Sequence, residues 1–196
     1  MFWFYQVIKA LEYGLRPLCV TAFTDDISDI GNRNLHNISK LGVDHIIVST
    51  NAELRRRINR YTLETVGDIS WAEHVTIFTI PIREAILRNI PLIIWGENPQ
   101  NEYGGPNEES QKSFELNKDW LNEFGGLNGL RVQDIVDANI ATKEQIYQYT
   151  MPNYEKEPQL PINPIKGIFL GQFFEWDGYE NAKLAAKYGF ELSVDP

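Results

Sequence analysis

The densest group of side chains able to bind a ligand follows an apolar run near the middle of the chain. Residues 95–105 read Trp-Gly-Glu-Asn-Pro-Gln-Asn-Glu-Tyr-Gly-Gly, with two carboxylates, three amides and three glycines. Glycine lets a ligand approach the backbone, amides donate and accept hydrogen bonds, and carboxylates can hold Mg²⁺ or a sugar hydroxyl. The segment predicts a polar ligand loop, and a solvated loop of turn residues is the alternative.

A second candidate is the segment Gly-Asp-Ile-Ser-Trp-Ala-Glu-His at residues 67–74. His74 could act as a general base, because a carboxylate, Asp68 or Glu73, lies near it in the sequence. A histidine at a helix start can equally be structural. His36 and His45 lie on a polar helix and at a strand start, and both are predicted to be bystanders.

Two weaker signals have a simpler interpretation beside the functional one. The three arginines at residues 55–57 could contact a phosphate, although a solvated helix face explains them as well. Trp176-Asp177 could stack on a sugar or pack as an ordinary aromatic residue. The sequence contains no Walker loop, no GxGxxG after a strand, no HExxH and no serine nucleophile elbow. The residues alone therefore predict an α/β domain with a polar ligand loop.

The elements that must position these residues alternate between strands and helices. Apolar runs predict strands, the second and third of them buried, at residues 18–23, 45–48, 91–95 and 167–170. Apolar spacing and caps predict helices at residues 4–13, 27–41, 51–61, 71–88, 114–124, 142–149 and 179–188. This order predicts a parallel sheet with flanking helices, in which ligands bind beyond the carboxyl ends of the strands.

Composition limits the function classes. The net charge of −9 argues against a general nucleic-acid binder, which needs a basic face. Cys19 is the single cysteine, so a disulfide framework and a cysteine zinc site are excluded, and we expect it to be a buried small hydrophobe. No stretch has the roughly 20 apolar residues needed to cross a membrane. We therefore expect a cytoplasmic protein.

Three runs are similar to the N-acetyl sugar amidotransferases of surface-polysaccharide (lipopolysaccharide) synthesis. They are residues 41–45, residues 66–71 with His74, and above all residues 93–106. The resemblance implies a PP-loop ATP-pyrophosphatase, with the Rossmann-like fold of the adenine nucleotide alpha hydrolases (HUP). It also implies a partial PP-loop domain at residues 1–110 and a helical or extended C-terminal part at residues 111–196.

The resemblance implies conversion of a sugar acetamido group to an acetamidino group. ATP would adenylylate the amide oxygen, ammonia would displace AMP, and Mg²⁺ would offset the phosphate charge. The implied partners are a nucleotide-activated N-acetyl sugar and a glutaminase that supplies ammonia through a cyclase-like subunit. Related alternatives are a non-catalytic remnant that binds a nucleotide-sugar or a partner protein, and another PP-loop activity such as tRNA thiolation.

The resemblance also implies roles for individual residues. Those expected to take part in catalysis are Glu97, Asn98, Asn101, Glu102 and His74. Those expected to border the nucleotide are Thr21, Ala22, Phe23, Gly96, Tyr103, Gly104 and Gly105. Asp68 and Trp71 would bind the sugar, and no dedicated set of metal ligands is predicted.

One family feature is not found in this sequence. The Ser-Gly-Gly-Lys-Asp-Ser loop would precede the first helix, and Met1 stands where that loop would end. A helix start without its glycine cradle holds pyrophosphate poorly, so we expect the isolated chain to be inactive. The first strand of the family fold would be missing as well, which leaves a sheet edge open to another chain and favours a homo-oligomer.

Overall fold

The structure, a computed structural model, describes residues 2–23, 27–96, 128–152, 165–175 and 177–192. Its strands are β1 (Leu18–Phe23), β2 (Asp44–Ser49), β3 (Leu92–Trp95) and β4 (Lys166–Phe169). Its α-helices are α1 (Phe2–Glu12), α2 (Asp29–Asn37), α3 (Ala52–Val66), α4 (Trp71–Leu87), α5 (Val132–Asp137) and α6 (Gly178–Lys187). Short 3₁₀ segments cover Ile38–Leu41, Gln145–Tyr149 and Leu170–Gln172.

The described strands form two separate parallel pairs. β1 runs beside β2 with Leu18 opposite Asp44 and Phe23 opposite Ser49. β3 runs beside β4 with Leu92 opposite Lys166. Helices connect β1 to β2, and α4 packs against both β1 and β3. The chain is thus a mixed α/β protein with short parallel strand pairs and flanking helices.

The helix boundaries follow from capping residues. Asn51 accepts a hydrogen bond from the Leu54 N–H at 2.8 Å and starts α3, as predicted. α3 continues beyond the predicted residue 61 to Val66 and ends at Gly67, whose φ of 75° lies in the left-handed region that favours glycine. This stop sets the turn that brings residues 68–70 to the start of α4.

Among the described residues, three apolar clusters hold the elements together. The largest joins α3 and the first half of α4 to α5 and the Gln145–Tyr149 segment, and its buried members are Leu54, Ile58, Trp71, Ala72, Val75, Leu130, Ile135, Ala141, Ile146 and Tyr149. A second joins α4 to the β3–β4 pair through Phe78, Ile82, Met151 and Phe169. A third joins α1 to α6 through Phe4, Val7, Ile8, Ile38, Val43 and Ala185. α4 therefore contributes to two of the three clusters.

The chain after α6 is held against α2 by buried asparagines. Asn34 donates to the Glu191 carbonyl at 2.9 Å and accepts from the Glu191 N–H at 2.8 Å. Asn37 donates to the Gly189 carbonyl at 2.8 Å. Between these anchors the Phe190 ring lies 5.5 Å from that of Phe4, in an edge-on contact. We call Asn34, Asn37 and residues 189–191 the tail clamp.

Some sequence predictions differ from the structure. The second strand is not buried: Ile47 is 46% exposed, because within the described residues β2 is an edge strand paired only with β1. β3 is half-buried, with Leu92 39% exposed, for the same reason. The predicted helix at residues 142–149 is a 3₁₀ segment, although its capping box of Thr142 and Gln145 is present.

Two predictions about the fold fall on residues that the structure does not describe. The helix predicted at residues 114–124 and the domain boundary predicted at residue 110 both lie outside the described residues. The boundary stays a prediction. On either side of it the chain shares contacts, since β4 pairs with β3 and α5 packs with α3 and α4.

Candidate functional site

The polar loop predicted after β3 lies mostly outside the described residues. Gly96 is the last residue described there. The predicted roles that stay predictions for this reason are those of Glu97, Asn98, Asn101, Glu102, Tyr103, Gly104 and Gly105. The described part of the candidate site is therefore built from the ends of β1, β2 and β3 and from the first turn of α4.

Gly96 lies against the side chain of Gln6 on α1. A Cβ atom at residue 96 would stand 2.8 Å from Gln6 Nε2, so a larger residue at this position would displace the end of the Gln6 side chain. The Gln6 Nε2 atom is buried and has no hydrogen-bond partner in the described part of the chain. A buried amide donor without an acceptor is unfavourable. The sequence around Gln6 contains no local pattern that predicts its burial.

At the end of β1, the residues predicted to border adenine are engaged with β2 and α3. Thr21 Oγ1 lies 2.8 Å from His45 Nε2. Ala22 stands opposite Val48 in the parallel pair, and the Phe23 carbonyl accepts a hydrogen bond from Arg55. Their contact with a nucleotide stays a prediction.

Arg55 is buried, so a solvated face does not describe all three arginines. Its side chain is 5% exposed, whereas that of Arg56 is 77% exposed and pairs with Glu53. Arg55 Nη1 donates to the Phe23 carbonyl at 3.1 Å and to Thr50 Oγ1 at 3.3 Å. One guanidinium thereby joins the carboxyl ends of β1 and β2.

The same guanidinium reaches the first turn of α4. Arg55 Nε lies 3.3 Å from Glu73 Oε1. Asn59 donates to Glu73 Oε2 at 2.7 Å, and its Oδ1 accepts from the Ala72 N–H at 3.0 Å. We call Arg55, Asn59 and Glu73, with their contacts at Phe23 and Thr50, the strand-end network. It fixes α4 against the strand ends.

Asp68 is held in the turn between α3 and α4. Its carboxylate accepts from the Ser70 N–H at 2.7 Å through Oδ1, and from Asn128 Nδ2 at 3.2 Å through Oδ2. Its carbonyl accepts from Thr62 Oγ1 at 2.7 Å. The Asp68 side chain is 8% exposed. Three donors from different parts of the chain therefore fix this residue.

His74 lies in the first turn of α4, near the Asp68 carboxylate. Its Nδ1 is 3.6 Å from Asp68 Oδ2, an ion-pair separation rather than a hydrogen bond, and its side chain is 24% exposed. Glu73, the other predicted neighbour, is paired with Arg55 and Asn59 instead. We call Asp68, Ser70, Asn128 and His74 the Asp68 cluster.

Trp71, predicted to bind the sugar, is fully buried. It lies in the apolar cluster formed by α3, α4 and α5. Its predicted role in substrate binding stays a prediction. Asp177 starts α6 as an N-cap, accepting from the N–H groups of Tyr179 and Glu180, while Trp176 lies outside the described residues.

Burial changes the chemistry of two side chains on the β1–β2 pair. It raises the pKa of the Cys19 thiol to about 11, so this cysteine is mostly a protonated thiol at neutral pH. It also lowers the pKa of His45. His36 Nδ1 donates to the Asn32 carbonyl of its own helix, 2.8 Å away.

Within the described residues, no three His, Cys, Asp or Glu side chains are grouped closely enough to hold a metal ion. Nor is any helix in these parts of the chain long and apolar enough to cross a membrane. The chain matches no protein-family model, and a search of curated proteins finds no significant match.

Sequence reasoning missed several polar residues of the site. Asn59 and Asn128 carry no local motif, and each acts on a residue more than ten positions away. Arg55 was visible only as one of three consecutive arginines. The helical period was the available signal, because it places Arg55 on the same face of α3 as the buried Ile58 and Thr62.

Proposed function

We propose that this chain is the core of an ATP-dependent amidotransferase acting on an N-acetyl sugar, with an adenine nucleotide alpha hydrolase-like (HUP), Rossmann-like fold. The observation that carries the proposal is the strand-end network. It brings one buried guanidinium and several partly buried polar groups to the carboxyl ends of two parallel strands, which is where α/β proteins bind ligands. The similarity of residues 93–106 to the family supplies the reaction.

Two further groups of polar residues support binding of a polar substrate by this chain. Gln6 offers a buried amide donor beside Gly96, where backbone and α1 approach closely. The Asp68 cluster offers a fixed carboxylate next to a partly exposed imidazole. Such a combination suits a reaction in which an amide is activated and a proton is then removed.

ATP is a substrate in this reaction and supplies an adenylyl group to the sugar amide oxygen. Oxygen leaves an amide poorly until it carries a phosphoryl group, after which ammonia can take its place. Mg²⁺ would offset the charge of the phosphates. Glu97 and Glu102, which would face ATP, Mg²⁺ or the sugar, lie outside the described residues, so no step is derived through the metal. A glutaminase and a cyclase-like subunit would supply the ammonia.

The test compares the chain of 196 residues with an extended chain, in which a strand ending in Ser-Gly-Gly-Lys-Asp-Ser is added ahead of Met1. Each is incubated with ATP, Mg²⁺, ammonium and a nucleotide-activated N-acetyl sugar, and AMP and acetamidino product are measured. We expect AMP and acetamidino product from the extended chain. A matched control replaces the lysine of the added loop by alanine.

The alternative is a binding protein without turnover. It is favoured if neither chain releases AMP while the unextended chain binds the nucleotide-sugar in a calorimetric titration. If Arg55→Met kept both ligand binding and turnover, both interpretations would be contradicted, because each places the ligand at the strand ends.

A further inference from the structure

Asn128 and Gly129 make the only Asn-Gly dipeptide in the sequence, in which every other asparagine precedes a residue with a side chain. Both residues lie in an exposed turn before α5, and their φ values of 49° and 81° fall in the left-handed region. Glycine and asparagine are the residues that adopt this region most readily. The turn therefore presents an Asn-Gly dipeptide to solvent.

An asparagine side chain loses ammonia when the backbone nitrogen of the next residue attacks its carbonyl carbon. Glycine allows this attack most readily, because it has no Cβ atom to hinder it. Asn89 and Asn139 are also exposed and have positive φ values of 55° and 58°, but each precedes an isoleucine, whose branched Cβ crowds its backbone nitrogen. The following residue therefore distinguishes Asn128 from asparagines of similar backbone conformation.

The Asn128 amide also ties its turn to the start of α4. Asn128 Nδ2 donates to Asp68 Oδ2 at 3.2 Å, and the other oxygen of that carboxylate accepts from the Ser70 N–H. Leu130, two residues after Asn128, is 9% exposed and packs in the apolar cluster of α3, α4 and α5. A change of charge at residue 128 would therefore act on a packed part of the chain.

We propose that Asn128 is a deamidation site whose conversion releases this turn from Asp68. The Gly129 backbone nitrogen forms a bond to Asn128 Cγ and loses its proton. Nδ2 takes up a proton and leaves as ammonia with the electron pair of the Cγ–Nδ2 bond. Water then opens the cyclic imide. Breaking the bond from the Gly129 nitrogen to Cγ leaves an aspartate, and breaking its bond to the backbone carbonyl carbon leaves an isoaspartate.

Either product changes the contact with Asp68 from attraction to repulsion. The hydrogen bond needs an amide N–H group, and an ionised carboxylate has no proton to donate. Two carboxylates at the 3.2 Å separation of the present contact repel each other, and the Asp68 side chain, 8% exposed, is poorly screened by water. The isoaspartate also lengthens the main chain of the turn. Deamidation therefore removes one of the donors that fix the Asp68 carboxylate.

Mass spectrometry of the full chain, incubated at mildly alkaline pH, tests the site. Trypsin releases residues 119–131 as one peptide, and fragmentation assigns the replacement of NH₂ by OH to Asn128. Asn139 is the internal control. We expect conversion about tenfold faster or more at Asn128, because isoleucine hinders the attack that glycine allows. Conversion at Asn128 that is no faster than at Asn139 overturns the proposed site.

Asn128→Asp tests the consequence without waiting for the reaction. We expect it to raise the equilibrium constant of unfolding about tenfold in urea titrations, through the lost hydrogen bond and the repulsion from Asp68. Asn139→Asp is the matched control, an identical change in an exposed turn, and should have a much smaller effect. Equal stability of Asn128→Asp and the unchanged chain would refute the release of the turn.

The double variant Asp68→Asn/Asn128→Asp isolates the repulsion. It exchanges the two groups, so that one amide again faces one carboxylate, and residue 68 keeps an oxygen to accept from the Ser70 N–H. We expect it to recover most of the stability that Asn128→Asp loses, and to restore folding if that single variant fails to fold. A double variant no more stable than Asn128→Asp would contradict the repulsion between residues 68 and 128.

Discussion

Polar side chains are buried in two regions: at the first turn of α4, and on the surface of α2 that contacts the chain after α6. The two regions differ in whether the buried groups are charged or neutral. The tail clamp uses neutral asparagines, each bonded to backbone. The strand-end network and the Asp68 cluster use an arginine, two carboxylates and a histidine. Neutral amides bonded to backbone fix a chain segment at little electrostatic cost.

Buried charges are a different matter, because each must be taken out of water. A hydrophobic replacement of similar size is often as stable as a buried ion pair, so the pair is weak evidence for stability. Charges at the carboxyl ends of strands are better explained by what they bind or orient. The tail clamp is therefore interpreted as structural, and the polar groups at the start of α4 as functional.

The largest effect on stability is expected from Arg55→Met. It leaves Glu73 without its cation and the Phe23 carbonyl and Thr50 hydroxyl without a donor, and removing one member of a buried pair costs about 3 kcal/mol. Urea unfolding measures it. The matched control is Arg56→Met, whose exposed pair with Glu53 should contribute little.

The double variant Arg55→Met/Glu73→Gln sharpens this prediction. It should recover part of the lost stability, because the uncompensated carboxylate is gone. Equal losses from Arg55→Met and Arg56→Met would show that Arg55 is not buried in solution.

Asn34→Ala should have the next largest effect, a loss of about 2 kcal/mol in the free energy of unfolding. It leaves both the N–H and the carbonyl of Glu191 without their partner. The C-terminal segment should also become sensitive to carboxypeptidase. Nucleotide-sugar binding should not change, and a change in binding would contradict the division between structural and functional groups.

The fold elements were largely predictable because their signals are local. Asn51 caps α3 through a residue three positions away, and β1 occupies the predicted residues 18–23. The length of α3 was underestimated, since nothing before Gly67 ends it. Strand burial was wrong because it depends on neighbours that the local pattern does not show.

The site was less predictable because its contacts span the chain. The burial of Arg55 involves a contact with the Phe23 carbonyl, which is 32 positions away in the sequence. Asn128 meets Asp68 across 60 positions, and Asn34 meets Glu191 across 157. Only the nearness of Asp68 to His74 could be predicted, because a short turn and the first helical turn separate them.

Gln6→Met should change stability in the opposite direction. It removes a buried donor that has no acceptor among the described residues and keeps the volume, so the unfolding free energy should rise by about 1 kcal/mol. Thermal and urea unfolding both measure it. A loss of stability would show that the Gln6 amide is satisfied in solution, which would place it with the tail clamp as a structural group.

The smallest effect is expected from His45, which lies on β2 opposite Cys19. Burial lowers its pKa below the ordinary 6.5, with the charge of His36 as a smaller cause and a hydrogen bond with the Leu35 backbone opposing both. Between its folded pKa and about pH 6.5, His45 therefore binds fewer protons in the folded chain than in the unfolded chain. Its contribution to stability is therefore complete above that pH and is lost as the pH falls towards the folded pKa.

His45→Gln tests this, because it removes the titration while keeping a polar partner for Thr21. Urea unfolding between about pH 7.5 and about pH 5, which spans the ordinary histidine range, should show a shallower fall for the variant than for the unchanged chain. Thr21→Val serves as the control, since it removes the hydrogen bond but keeps His45 buried, and its pH dependence should match the unchanged chain. Parallel curves for all three chains would mean that His45 titrates alike in the folded and unfolded states, which would contradict the lowering of its pKa by burial.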